Sequence, residues 1–485
     1  MESAGTLERG LAVLRALAAE PARRTRATDL VRATGLARST VDRVLATLAH
    51  LGYVRVRERE VVLAPRLMEL GEAYLACGGL RDPLSPFAEA LAEQLDESVS
   101  LAVPDGDDVR FIGQFTRRRT MSVAFEVGDR LPAGRCAAGL ALRDPAAAWA
   151  EDDQLIEPGL VAVAVPVRDR AGRKVCAVSV VSHTSRHTAA GLRSHALPVL
   201  RETVAKMEAA LGPPARSPRP PGSAVDLSRA LKDELGAGYL QSLARGLAVL
   251  VSLGSPGGLS LADAAKATGL PRATARRSLM ALEELGYATA EDGRWALLPR
   301  VLDLGYAHLS GFTFAEVAQP HLADLVAAVG ESASVAVLAD DDVLYVARVP
   351  TRSIMSVNIT VGTRFPAYAT SMGRVLLADQ PDERYAALDY RPLTRHTVTS
   401  AAELAAAVRR VAADGYAVVD QELEEGVRSI AVPVRGRAGR VVAAVNVATH
   451  ASRVSTAGLL RDILPALLET AARIEADLAL TRVTP

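Results

Sequence analysis

Cysteine is scarce. The three present, Cys77, Cys136 and Cys176, are widely spaced and all fall in the first half of the chain. They provide neither a disulfide framework nor a cysteine metal site, and they fit a reducing compartment such as the cytoplasm. Net charge is missing too. The 56 Lys and Arg balance the 56 Asp and Glu, so any affinity for a polyanion must come from a local patch. No long apolar run exists: the stretch 160–167 falls well short of a membrane span. The first residues lack the apolar core of a secretory signal. There are eight histidines but no nucleophile elbow, no phosphate-loop lysine motif and no His-Glu-x-x-His helix. No catalytic residue, metal ion or cofactor is therefore expected.

What is present is the same protein twice. Leu7-Glu8-Arg9-Gly10-Leu11 returns as Leu243-Ala244-Arg245-Gly246-Leu247, and Leu51-Gly52-Tyr53 as Leu285-Gly286-Tyr287. Thr120-Met121-Ser122-Val123 returns as Ile354-Met355-Ser356-Val357, and Val165-Pro166-Val167 as Val432-Pro433-Val434. A period of about 235 residues is far too long for a solenoid unit and marks a duplicated multi-domain protein. At 485 residues, 49% hydrophobic and 23% charged, the chain has material for several globular cores. Proline-dense residues 212–223 separate the copies, because proline at that density favours an extended spacer.

Each copy opens with about 60 helical residues that end in a β-like stretch, by the apolar spacing. In the first copy, helices are expected at 6–20, 27–34 and 38–50. A turn at Gly35-Leu36-Ala37 precedes the third, whose Val41, Val44, Leu45 and Leu48 form one buried stripe. The second copy repeats the pattern with helices at 261–268 and 272–285, and its hairpin carries the turn signal Asp292-Gly293. Two short helices, a glycine turn and a hairpin make a winged helix-turn-helix, whose third helix enters the DNA major groove. Arg38, Ser39, Thr40 and Arg43 sit opposite the first stripe, and Arg272, Thr274, Arg276 and Arg277 opposite the second. Arg reads guanine bidentately, and Ser or Thr bonds bases or phosphates. Arg23, Arg24, Arg26 and Arg32, with Arg55, Arg57 and Arg59 in the wing, add phosphate attraction. Solvated arginines on a polar helix face are the bland alternative, and the repetition of the whole pattern weighs against it.

These residues resemble the IclR family of bacterial transcriptional regulators. In the second copy the resemblance is carried by residues 242–247, 267–274 and 285–287, by Pro366-Ala367-Tyr368-Ala369-Thr370-Ser371-Met372-Gly373-Arg374, and by Glu425-Gly426-Val427-Arg428-Ser429-Ile430-Ala431-Val432-Pro433-Val434. Residues 348–361 and 365–373 look most like the branch controlling protocatechuate, 4-hydroxybenzoate and β-ketoadipate catabolism. The resemblance implies an α+β protein. Each copy would have a winged helix-turn-helix and an effector domain similar to GAF and PAS sensors, an antiparallel sheet flanked by helices. The expected domains are winged helices at 1–64 and 239–299, effector domains at 80–211 and 313–482, and a linker with connecting helix at 212–238. The implied partners are double-stranded operator DNA and a small carboxylate effector, with self-association and no membrane.

Carried over position by position, the implied effector contacts are Ser371, Met372, Asp420, Glu422, Ser429 and Asn446, with Arg348 and Arg428. Local backbone bonding by Ser371 and Asn446, and pairing of Arg428 with Glu424 or Glu425, are the structural alternatives. The first copy has Ala137 and Ala138 at the places of Ser371 and Met372, Val161 and Ala162 at those of Arg428 and Ser429, and Ser179 at that of Asn446. Its register also jumps. Gly139 aligns with Gly373, an offset of 234, whereas Pro166 aligns with Pro433, an offset of 267. The missing piece matches roughly 377–418, including the Thr394-Arg395-His396-Thr397 loop and a helix at 401–413. The first effector domain is therefore expected to be degenerate.

Two rivals stand beside the regulator: an enzyme acting on aromatic acids, and a sensor or scaffold that does not bind DNA. His183 and His450 occupy equivalent positions, where a strand-end or helix-entry role is the plainer reading than catalysis. The assembly expectation is a covalent pseudo-dimer reading two unlike half-sites, with a spacer reaching roughly 37 Å if extended. Like-with-like pairing of two chains is the alternative.

Overall fold

The computed structural model describes residues 2–19, 25–57, 59–116, 125–211, 239–306, 309, 312–351, 359–381, 383–386 and 388–481. The proposed linker at 212–238, Arg23, Arg24 and the side chain of Arg57, and the repeated segments 120–123 and 354–357 lie outside them. The chain forms two compact units, Met1–Gly311 and Phe312–Pro485. The fold is α+β, with both winged helices and the first effector domain in the first unit.

The first winged helix has helices Glu2–Ala18, Ala27–Thr34 and Arg38–His50, then the hairpin Val54–Arg57 and Glu60–Leu63. The short strand Thr25–Arg26 joins that hairpin in a three-stranded sheet. Leu7, Leu11, Leu14 and Leu17 are buried with Leu30, Val41, Val44, Leu45 and Leu48, so the apolar stripes form one core. The second winged helix repeats this with Gln241–Ser252, Leu261–Thr268, Arg272–Glu284, Ala288–Glu291 and Arg294–Leu297. Left-handed residues make both turns. Gly35 has φ 67° and Gly269 φ 64°, where a side chain would be strained. Asp292 and Gly293, at φ 50° and 73°, close the second wing with both central residues at positive φ.

The opening helices of the two winged helices pack on each other reciprocally. A Cβ on Gly246 would lie 2.6 Å from Leu7, and one on Gly10 would lie 2.3 Å from Leu243. Each glycine opens the space that the other copy's leucine fills.

Both effector domains are six-stranded antiparallel sheets with the same strand order. In the second, Arg364–Pro366, Asp342–Val349, Ser332–Ala339, Val441–His450, Val427–Arg435 and Ala417–Asp420 are successive neighbours. Phe314–Val329 and Leu464–Leu480 cover one face, and Ser371–Leu377 and Ala401–Asp414 the other. In the first, the chain passes from helix Ala137–Arg143 straight to strand Ala150–Asp153. The deletion thus removes the counterpart of Ala401–Asp414 from that face, keeps the helix Ala137–Arg143 on it, and spares the sheet. Lys174, at the position of Val441, donates to the carbonyls of Ala141, Asp144 and Ala147 at 2.7, 2.6 and 2.8 Å. That satisfies acceptors at the helix end and in the turn that follows it.

Candidate DNA-reading surface and effector pocket

Arg38, Ser39 and Arg43 are exposed on the first recognition helix, as are Arg272, Arg276 and Arg277 on the second, while Thr40 and Thr274 are half-buried. The copies differ electrostatically. Arg38 Nε donates to both carboxylate oxygens of Asp42 at 2.9 and 3.0 Å, one turn along the same face. Position 42 corresponds to Arg276. The first helix therefore offers one arginine, Arg43, with no ion pair among the described residues, and one tied to a carboxylate. The second offers three arginines with no ion pair among the described residues. The sequence pattern places Arg38 on the reading face but does not show its pairing with Asp42.

The second effector domain holds a small pocket on the face of its sheet covered by Ser371–Leu377. Its walls are largely apolar, with Tyr345, Ile359 and Phe365 on one side and Val419, Leu423 and Val427 on the other. Tyr345 and Phe365 meet edge to face at 5.8 Å. The loop before helix Ser371–Leu377 is built tightly. Thr370 Oγ1 caps it by accepting from Gly373 N at 3.0 Å, and a Cβ on Gly373 would sit 2.0 Å from the Ala367 carbonyl oxygen. The loop thereby aims the Ser371 hydroxyl at that of Ser429, 2.8 Å away. Asn446, 3% exposed, has an Oδ1 without a hydrogen-bond partner among the described residues.

Of the eight residues carried over, Ser371, Ser429 and Asn446 line this pocket. Arg348 stands beside it, in register with Ser334, which is in register with Asn446 across three central strands. Its Nη1 donates to Ser334 Oγ at 3.2 Å. Burial pulls its guanidinium below the ordinary value, opposed by Tyr345, yet an arginine keeps its charge in proteins. The structure engages the other four elsewhere. Met372 is wholly buried in the apolar core under the helix. Glu422 accepts from Arg374 at 2.5 Å and from Val398 N at 3.2 Å, because a buried carboxylate needs a cation and donors. Arg428 pairs with Asp420 through two bonds, 2.9 and 2.8 Å, and donates to the carbonyls of Ala451 and Val454. Its acidic partner is thus the strand neighbour Asp420 rather than Glu424 or Glu425. The aromatic and aliphatic wall carried no sequence signal, since such residues read as ordinary core.

In the first effector domain the serine pair becomes Ala137 and Ala162, packed in one apolar cluster. The row of Arg348, Ser334 and Asn446 becomes Gln114, Ser100 and Ser179. It is uncharged, and its side-chain oxygens and amide have no hydrogen-bond partner among the described residues. His183 and His450 close their strands identically, each Nδ1 beside a serine two residues on.

Two family descriptions match the chain. The bacterial transcriptional regulator IclR C-terminal region matches 72–147, 143–209 and 306–476, and the IclR helix-turn-helix domain matches 6–58 and 242–292. The chain belongs to the IclR family. It is an IclR-type transcriptional regulator in which both domain types occur in tandem. The Pca regulon regulatory protein of Pseudomonas putida is 44% identical over 236 residues, 47% of this chain and 81% of that protein. The p-hydroxybenzoate hydroxylase transcriptional activator of Acinetobacter baylyi is 33% identical over 243 residues, 48% of this chain and 90% of that protein. A putative transcriptional regulator from Rhodococcus sp. RHA1, of known crystal structure, is 53% identical with a TM-score of 0.48, covering 50% of this chain and 98% of its own. No helix among the described residues of this IclR chain is long and apolar enough to cross a membrane.

Proposed function

We propose that this IclR regulator acts in the cytoplasm, binds operator DNA through both winged helices, and changes that binding when a small aromatic carboxylate enters the second effector domain. Protocatechuate and 4-hydroxybenzoate are the first ligands to test. The observation that carries this reading is the arrangement at the pocket. An apolar wall with aromatic rings suits a ring, while Thr370, Ser371, Ser429 and Asn446 offer neutral polar groups, Glu424 lies in the wall, and Arg348 is a cation in the same strand register as Asn446, two strands away. Apolar walls with a few placed polar groups are the usual form of such sites, and an arginine near a carboxylate strengthens its hydrogen bonds. The names of the two relatives, a Pca regulator and a hydroxybenzoate hydroxylase activator, support the same ligand class.

Calorimetry with 4-hydroxybenzoate and protocatechuate on the full chain tests this. Arg348→Gln, which installs the residue of the first copy, should weaken binding by about 1.5–3 kcal/mol, the worth of a hydrogen bond to a charged group. Saturable binding that ignores Arg348→Gln and Ser371→Ala would move the ligand elsewhere. Turnover of either acid would favour the enzyme reading.

A further inference from the structure

The contact between the two winged helices combines pseudo-symmetric packing with unsymmetric polar chemistry. Leu7 over Gly246 and Leu243 over Gly10 are the symmetric part. The polar locks are not symmetric. Glu72 and Tyr306 are equivalent positions that meet each other, with the Tyr306 hydroxyl donating to Glu72 Oε1 at 2.6 Å. Equivalent positions in contact lie close to the pseudo-two-fold axis. Arg81, 4% exposed, completes the group by donating to Glu72 at 2.6 Å and to the Tyr306 oxygen at 3.2 Å. The Tyr306 ring lies where a Cβ on Gly71 would be, 2.1 Å from its Cδ2. Farther out, Arg110 is 1% exposed and reaches Asp105 at 2.6 Å, Asp303 at 2.7 Å and the Gly128 carbonyl at 3.0 Å.

Glu72, Arg81, Tyr306, Arg110 and Asp105 have no double in the other copy, whereas Asp303 has an acidic counterpart in Glu69. By alignment, Arg81 corresponds to Ala315, Arg110 to Leu344, Asp105 to Ala339 and Glu72 to Tyr306. We propose that the two DNA-reading halves of one chain form a partner-specific pair, selected by the Glu72–Arg81–Tyr306 and Arg110–Asp303 locks against pairing of like copies between chains. Two first copies would bring carboxylate to carboxylate at the axis and leave empty the space over Gly71. Two second copies would bury two phenols without Glu72 or Arg81 and leave Asp303 without Arg110. Buried polar groups and charges left without partners disfavour such pairings. The first effector domain thus serves as the anchor of the second winged helix, a role that a complete sheet suffices to fill. The consequence for operator choice rests on the DNA-regulator reading: one chain presents a helix with the Arg38–Asp42 pair beside one whose three arginines have no ion pair among the described residues, and it reads unlike half-sites.

The pairing itself is tested without DNA, so its failure is separable from failure of the DNA-binding reading. Leu7 Cγ lies 3.1 Å from a Cβ built on Gly246, placing a cysteine sulfur at residue 7 within disulfide reach. The full chain carrying Leu7→Cys and Gly246→Cys is oxidised, and its mass and thiol count are read under denaturing, non-reducing conditions. Gly10→Cys with Leu243→Cys repeats the test from the other side of the axis, at 3.0 Å. The expected product is a single chain that has lost both added thiols and keeps its three native ones. A two-chain product would show the halves pairing between chains. No cross-link in either variant, with native-like unfolding curves, would show that they do not pair this way. Either result overturns the proposal.

Discussion

Arg110→Leu gives the second copy's residue to the first and strips the cation from between Asp105 and Asp303. In the native chain that guanidinium is 1% exposed, and its three partners stand at 2.6 to 3.0 Å. Breaking a buried pair by removing one partner costs about 3–5 kcal/mol, because the remaining charge is stranded. Here the side chains of Asp105 and Asp303 are 19% and 27% exposed. Water therefore relieves part of the strain, and the cost should fall near the lower end, about 3 kcal/mol. Urea unfolding near neutral pH measures it. The chain has two tryptophans. In a Trp149→Phe background the remaining one, Trp295, lies in the second wing and reports that domain. The double variant Arg110→Leu with Asp303→Leu should recover at least about 1 kcal/mol relative to the sum of the single variants, since contacting groups couple by about 0.5–3 kcal/mol. A cost below about 1 kcal/mol for Arg110→Leu, or strict additivity in the double variant, would refute the claim that this residue locks the second winged helix.

Asp42→Ala should free Arg38 and raise affinity for DNA, with a salt dependence steeper by about one unit of slope; an unchanged slope in a salt titration would contradict this. Arg272→Ala should weaken binding by about 1–3 kcal/mol if it reads a base, and more than Arg38→Ala, whose side chain is tied to Asp42. Hydrogen bonds from Arg428 hold the Asp420 carboxyl below its ordinary value. Its contribution to stability is therefore complete above the unfolded value near 4 and is lost as pH falls through the lower folded value. Asp420→Asn should flatten the acid limb of the unfolding-midpoint profile below about pH 4, and an unaltered limb would exclude this pair. Burial raises the Cys77 and Cys136 thiols and pushes Cys176 up to about 12. All three should resist a thiol reagent near neutral pH in the folded chain and react on unfolding.

Local features were readable where local chemistry decides them. The stripe of Val41, Val44, Leu45 and Leu48 became one buried face, and Asp292-Gly293 became the wing turn, because helix period and positive φ depend on neighbours in the chain. The jump in register between the copies exposed the loss of one covering helix from the first sheet. Tertiary partnerships were not readable. Arg374 meets Glu422 across 48 residues and Tyr306 meets Glu72 across 234, and no spacing rule links them. Glu422 and Arg428 therefore looked available for a ligand, although each is held by a protein partner. The motif that first revealed the duplication, with Leu7 and Gly10 matching Leu243 and Gly246, concealed its own physical use until the two helices were seen packed on each other.

An aromatic carboxylate in the second effector domain is proposed to alter operator binding. Fluorescence anisotropy on a duplex from the chain's own upstream region, with and without 4-hydroxybenzoate or protocatechuate, tests it most directly. The expected result is an affinity shift of about tenfold, ordinary for coupled sites, in the native chain, and none in the variant carrying Ser371→Ala and Arg348→Gln. Operator affinity unchanged by either acid, or a shift that persists in that variant, would contradict it.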